Sequence, residues 1–311
     1  MANVAIPLGS NRLERTRSIR ERIDIPRRVT LIAAILVVLV VALLLAFIGI
    51  RGTRMFFEGG VPLTQIFSAT WDPGADPGQQ TFGLLPFILG TIGVMVVAAI
   101  IAAPLSIGLA IFMSEIAPDW ARNITRPAME VFVGIPSVVY GFLGANVLVD
   151  VLRSNFHQQF PLGYSWFAGS LVLSIMILPT ITSIAYDALI TVPGELRTGS
   201  LALGTTRWQM IRHILLPAAR AGLMTAVILG MLRAAGEALA VQMVIGNRAI
   251  VPTGIGQPII TLTSGITLDM GNTTDNQVWN MALWTMGLIL LLMSLTFVFL
   301  ARRIGRRGAA I

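Results

Sequence analysis

The chain has 311 residues, 55% of them hydrophobic and only 12% charged, with a mean hydropathy of +0.79. A soluble domain carries about a quarter charged residues, so this composition excludes an ordinary soluble fold and points to a membrane protein. The net charge of +7 would suit nucleic acid, but the basic residues, all arginine, flank apolar runs and form no stripe interleaved with aromatics. There is no cysteine, which removes disulfides, thiolate metal sites and cysteine nucleophiles.

In chain order, the apolar runs meet the ~20 residues needed for a crossing six times. Residues 1–28 form a basic tail, with Glu14, Glu21 and Asp24 interspersed, that anionic lipid would attract. The first predicted span covers 29–50. It is no cleavable signal, because the basic region before it is too long and no small-residue cleavage site follows. A loop over 51–84, rich in Gly, Pro, Asp and Gln, leads to a core over 85–245. Predicted spans within that core run from 85 to 113 with Pro104, from 128 to 149 with Gly134, Pro136, Gly141 and Gly144, from 166 to 190 with Pro179, and from 222 to 245. A second loop over 246–277 precedes a sixth span at 278–300 and a basic C-terminal segment, 301–311. Proline and glycine are tolerated in spans because neighbouring helices re-satisfy the freed backbone groups.

Arginine sets the sides. With a cytoplasmic N-terminus, the tail, Arg122, Arg126, Arg197, Arg207, Arg212, Arg220 and the C-terminal arginines face inward, against Arg51, Arg54, Arg153 and Arg248 outside. That bias, roughly four to one, puts both termini in the cytoplasm.

The inward connection 191–217 carries Leu196, Leu203, Trp208, Ile211 and Leu215 alternating with Arg and Gln, which suits two short surface helices broken at Gly204. Such a pattern is enough for an interfacial amphipathic connector. The spacing from Gly204 through nine residues to Ile214, then one residue to Leu216-Pro217, resembles the cytoplasmic loop signature of ABC-importer permeases. In that family the signature is Glu-Ala-Ala, three residues, Gly, nine residues, Ile-x-Leu-Pro. The resemblance implies a coupling helix seated in a groove of an ATPase, with Glu195, Leu196, Thr198, Gly199, Leu203, Gly204, Arg207, Trp208, Ile214 and Pro217 at the seat. Gly204 would provide a turn where a Cβ is costly. Thr198-Gly199-Ser200 stands where the family has Glu-Ala-Ala, and Glu195, one turn earlier, is the candidate replacement for the acid.

The pattern places Arg233 and Glu237 mid-span, four residues apart and on one helical face. A charge at the bilayer centre costs about 2.5–3.5 kcal/mol, so such residues face a bundle interior or a wet cavity. Two readings stand side by side: a self-neutralised pair that glues the bundle, or a substrate path in which Glu237 neutralises Arg233 until an anion arrives. The planar fork of arginine matches oxyanion oxygens.

Three stretches carry a closer resemblance: Arg233-Ala234-Ala235-Gly236-Glu237-Ala238-Leu239-Ala240-Val241 continuing to Met243-Val244-Ile245-Gly246-Asn247, Phe82-Gly83-Leu84-Leu85-Pro86-Phe87-Ile88-Leu89-Gly90-Thr91, and Gly134-Ile135-Pro136-Ser137-Val138-Val139-Tyr140-Gly141. With Ile177-Leu178-Pro179-Thr180-Ile181, they resemble phosphate-specific permeases of the PstC type. The resemblance implies an all-α, type I importer permease with six transmembrane helices in a bacterial inner membrane. It implies a heterodimer with a PstA-type subunit, an ATPase dimer that binds ATP and Mg, and an external phosphate-binding protein. Arg233 and Glu237 match the family's charged pair of the phosphate path. Gly134, Pro136 and Ser137 either open backbone groups toward the same cavity or permit close helix packing.

No phosphate loop, His-Glu-x-x-His or histidine-bearing span is present, so the chain is expected to lack a catalytic centre and a metal site of its own. The alternatives are a permease for sulfate or molybdate and an ion-coupled secondary transporter, the latter expected to have more spans in repeated halves.

Overall fold

The structure, a computed structural model, describes residues 11–75 and 79–308, with side chains described for 27–75 and 79–305. The N-terminal ten residues of the basic tail and the side chains of its acids lie outside the described residues. Two compact units divide the chain, Met1–Arg51 and Gly52–Ile311.

In the first unit the chain is one continuous helix from Asn11, the start of α1 (Asn11–Phe57). The expected span began at residue 29. Helix extends further toward the N-terminus because Arg, Leu and Glu are good helix formers. Its Val, Leu and Ile side chains from Val29 to Leu45 are exposed, as a surface meant for lipid would be.

The second unit opens on the last turn of α1, extended by the Arg54–Glu58 ion pair at 2.6 Å. The 51–84 loop then builds a short 3₁₀ turn (Leu63–Phe67) and a two-residue ladder, β1 (Trp71–Asp72) against β2 (Thr81–Phe82), in antiparallel register Trp71–Phe82. Trp71 packs edge-on against Phe82 and Phe87, with ring centroids 5.8 and 5.0 Å apart. This ladder is a small departure from an all-α chain.

Three helices form the core: α2 (Leu85–Ile111), α6 (Trp166–Ile190) and α9 (Leu216–Ala235). Their shared faces are made of Ala98, Ala102, Ala168, Ala185, Ala226 and Ala234, all buried. Small residues let helices approach where lipid tails offer no hydrophobic incentive, and polar side chains supply further glue. Ser106 of α2 donates to the Leu178 carbonyl of α6 at 3.0 Å. The long helix α12 (Val278–Gly308) packs on α9.

The predicted span 128–149 does not exist as one helix. An amphipathic α3 (Asp119–Gly134) ends at Ile135, whose ψ of 127° is the extended conformation that a following proline imposes. A new helix starts behind Pro136: α4 (Ser137–Leu143), a wide π turn (Gly144–Leu148) and α5 (Val149–Asn155), together a 19-residue span. Among the described residues, six helices are long and apolar enough to cross a membrane.

Candidate functional site

The connection after α6 folds as two short helices, α7 (Gly194–Ala202) and α8 (Arg207–Met210), and α8 runs through a wide turn (Ile211–Leu215) into α9. Gly204 sits between them at φ +81°, where an L side chain is strained, and a Cβ there would meet nothing within 4 Å. The constraint on Gly204 is therefore conformational, not steric. Past it, Thr206 and Gln209 form a capping box that starts α8.

Within Thr198-Gly199-Ser200 the three residues divide their work. Thr198 bonds back to carbonyls of its own helix. Ser200 is buried and exchanges a 2.8 Å hydroxyl bond with Thr205, whose hydroxyl also donates to the Ser200 carbonyl. Outward, Leu203 is 85% and Trp208 62% exposed, with Leu196 beside them at 46%. Glu195, Arg207 and Pro217 are exposed as well, whereas Ile214 is half-buried. Large apolar side chains held outward by a rigid turn mark a surface for a partner.

At the other end of α9, the expected arrangement of the charged pair fails. Arg233 lies in the last turn of α9, not in mid-span, and Glu237 lies beyond its end. The helix stops at Gly236 (φ −86°, ψ −6°), and the Glu237 amide tightens back onto Ala234 O at 3.2 Å. The two side chains form no ion pair with each other. A helix C-terminus is negative, so the dipole of α9 itself favours the Arg233 charge. Arg233 is exposed and within electrostatic reach of Tyr140, while the Glu237 carboxylate accepts a long 3.5 Å bond from the Ala240 amide.

Tyr140 connects this turn to the break at Pro136. Its hydroxyl donates to Phe132 O at 2.8 Å. Next to it, a Cβ on Gly141 would fall 2.7 Å from Met243 Sδ and 2.9 Å from Ala240 Cα, so α4 meets α10 (Leu239–Gln242) backbone to backbone. The structure thus brings α4 beside the 233–243 stretch. Ser137 reaches neither charged residue by a hydrogen bond, and Gly134 and Pro136 are exposed at the break.

The 246–277 loop folds back onto this turn. Gly246 (φ +82°) and Asn247 (φ +51°) reverse the chain, and Ile259 bonds the Ile245 carbonyl at 3.0 Å. A helix the sequence reading missed, α11 (Leu262–Asp269), follows, capped by Thr261. Thr263 donates to the Glu237 carbonyl at 2.9 Å, and Thr91 of α2 accepts from the Leu262 amide at 2.9 Å. Thr267 donates to Gln242 at 2.7 Å. Thr91, Thr261, Thr263 and Glu237 line a small cavity with room for about one water. The signal for α11 was Thr261-x-x-Ser264, an N-cap whose hydroxyl accepts from the third amide. Near the far end of α11, burial pushes the Asp269 carboxyl above its ordinary range, partly offset by the indoles of Trp279 and Trp71.

Comparison with known proteins agrees with this geometry. The family described as "Binding-protein-dependent transport system inner membrane component" matches residues 106–308. A relative from Bacillus subtilis (strain 168), the "Probable ABC transporter permease protein YqgH", is 48% identical over 301 residues, 96% of each chain. The "Phosphate transport system permease protein PstC" of Xylella fastidiosa (strain 9a5c) is 33% identical over 92% of each chain. Among solved structures, a chain of a bacterial alginate ABC transporter aligns with a TM-score of 0.61 at 17% identity, covering 91% of this chain and 96% of that one. A chain of the MetNI methionine ABC transporter gives 0.55 at 18% identity, covering 72% and 95%. At these identities the structures speak to fold alone, and the fold is that of an ABC importer permease.

Proposed function

We propose, since this chain belongs to the binding-protein-dependent transport system inner membrane component family and is the multi-pass permease subunit of an ABC importer, that its cargo is inorganic phosphate. One observation carries the reading: Arg233 is exposed at the end of an apolar span with no acid bound to it. An exposed guanidinium there needs a wet path, and its fork suits phosphate oxygens. The PstC names of relatives such as the Xylella protein support the same cargo.

In this reading the chain forms half of the path, and a PstA-type subunit forms the other half across the exposed Arg233 face. An ATPase dimer, which binds ATP and Mg, seats Leu203 and Trp208, while an external phosphate-binding protein delivers cargo to the 51–84 and 246–277 loops. Both termini lie in the cytoplasm, as the arginine distribution asks. In the empty site the dipole of α9 offsets the Arg233 charge, with Glu237 held one turn away. Pro136 and Ser137 open the neighbouring wall.

Uptake of radiolabelled phosphate by the reconstituted importer tests the cargo. The expected result is competition by arsenate and none by sulfate, with uptake lost on ATP depletion and kept when ion gradients collapse. Competition by sulfate alone would reassign the cargo to a different oxyanion, and gradient dependence would exclude an ATP-driven importer.

A further inference from the structure

Arg197 has a role that neither the exposed seat nor the charged turn accounts for. It sits on the inner side of α7, with its side chain only 20% exposed, and each of its three nitrogens is used. Nη2 donates to Leu189 O, in the last turn of α6, and Nη1 to Val192 O just past its end, both at 2.7 Å, which caps the end of α6. Nε donates to Glu115 Oε1 at 3.1 Å, and the Glu115 side chain is 10% exposed. Glu115 belongs to the wide π turn (Phe112–Ile116) that ends α2. One planar group therefore ties the first helix of the connection to the ends of two core helices that pack along each other.

We propose that Arg197 is the strut through which the 191–217 connection moves α2 and α6, rather than a residue that touches the ATPase or the cargo. A guanidinium suits this because its donors are fixed in one plane, so a displaced α7 carries both helix ends with it. Lysine, a point charge on a flexible stem, would hold Glu115 without fixing the α6 carbonyls. The neighbouring elements carry complementary equipment. Arg122 of α3 donates to Met113 O and Ala117 O and so caps the same end of α2, but it has no bond to α7. Among the described residues, the strut is thus the side-chain link that joins α7 to the end of α2. It rests on the reading that this connection seats an ATPase.

The test uses the complete importer in proteoliposomes, with phosphate taken up per ATP hydrolysed as the readout. Glu115→Leu cuts the α2 arm while leaving the α6 cap. Arg197→Lys cuts the α6 arm while leaving the charge pair. Each variant is expected to assemble, to hydrolyse ATP, and to move about tenfold less phosphate per ATP, the scale of one lost charge-assisted bond. In parallel, Trp208→Cys is cross-linked to the ATPase to check the seat by itself. Absence of that cross-link overturns the seat, and the strut with it. An unchanged phosphate-to-ATP ratio in both variants, with the cross-link present, overturns the strut alone. Failure of both variants to assemble would place Arg197 in folding only, and would also overturn it.

Discussion

The two ends of α9 are built on opposite plans. The end that begins at the 191–217 connection is assembled from neighbours in sequence: Thr206 with Gln209, Ser200 with Thr205, and a left-handed Gly204. The end that closes at Gly236 is held from far along the chain, by Thr263 on the Glu237 carbonyl, Thr91 on the Leu262 amide and Gly141 against Ala240. A locally built end can act as a rigid handle for a partner. An end assembled from α2, α4, α9 and α11 can change shape when any one of those helices moves, which is what a gate for cargo requires.

The sharpest way to break this comparison is at the charge of the proposed gate, Arg233. Arg233→Gln removes the fork but no packing, so the importer should assemble while phosphate uptake falls about 100-fold, the scale of a lost charge-assisted pair. Normal uptake would take the gate out of the path. At the handle, Gly204→Val imposes strain of about 1–3 kcal/mol with no clash to relieve. It should lower the phosphate moved per ATP about tenfold, whereas Gly204→Asn, which tolerates a left-handed backbone, should lower it far less. Equal losses in the two variants would show that space, not conformation, matters at the turn.

Gly141→Val drives a side chain into Met243 and the Ala240 backbone. The expected cost is about 1–3 kcal/mol, read as a lower midpoint of thermal unfolding in detergent. Thr263→Val leaves the Glu237 carbonyl without its hydroxyl and should cost about 1 kcal/mol by the same measurement. The smallest effect belongs to Asp269. Its folded pKa is raised, so between the ordinary carboxylate value and the raised one the folded state holds more proton than the unfolded state. Stability therefore falls as pH rises through that window. Asp269→Asn should remove this slope, followed through tryptophan fluorescence of Trp71 and Trp279.

The same contrast explains what could be read from the sequence. The number of spans and the Gly204 turn are local signals, and among the described residues six helices of spanning length and the left-handed Gly204 appear in the structure. Two boundaries were misjudged for one reason. Val131, Phe132 and Val133 continue an apolar run up to Pro136, and Ala234-Ala235-Gly236-Glu237-Ala238 reads as helix until Gly236 ends it. In both places a single proline or glycine decides, and a window of hydrophobicity averages it away. Arg197 was legible as an inward arginine. Its partner Glu115, 82 residues earlier, was not.

The Ser200–Thr205 hydroxyl pair bears on which ATPases this permease will accept. With Ser200 turned inward and Thr198 bonded to its own helix, the Thr198-Gly199-Ser200 stretch offers no carboxylate, and the exposed acid of α7 is Glu195, one turn earlier. An ATPase borrowed from an importer of the Glu-Ala-Ala kind is expected to meet this acid one turn out of place. Exchange of ATPases between importers is then expected to be sensitive to where along α7 the acid sits, with Ser200 committed to the buried side of the helix.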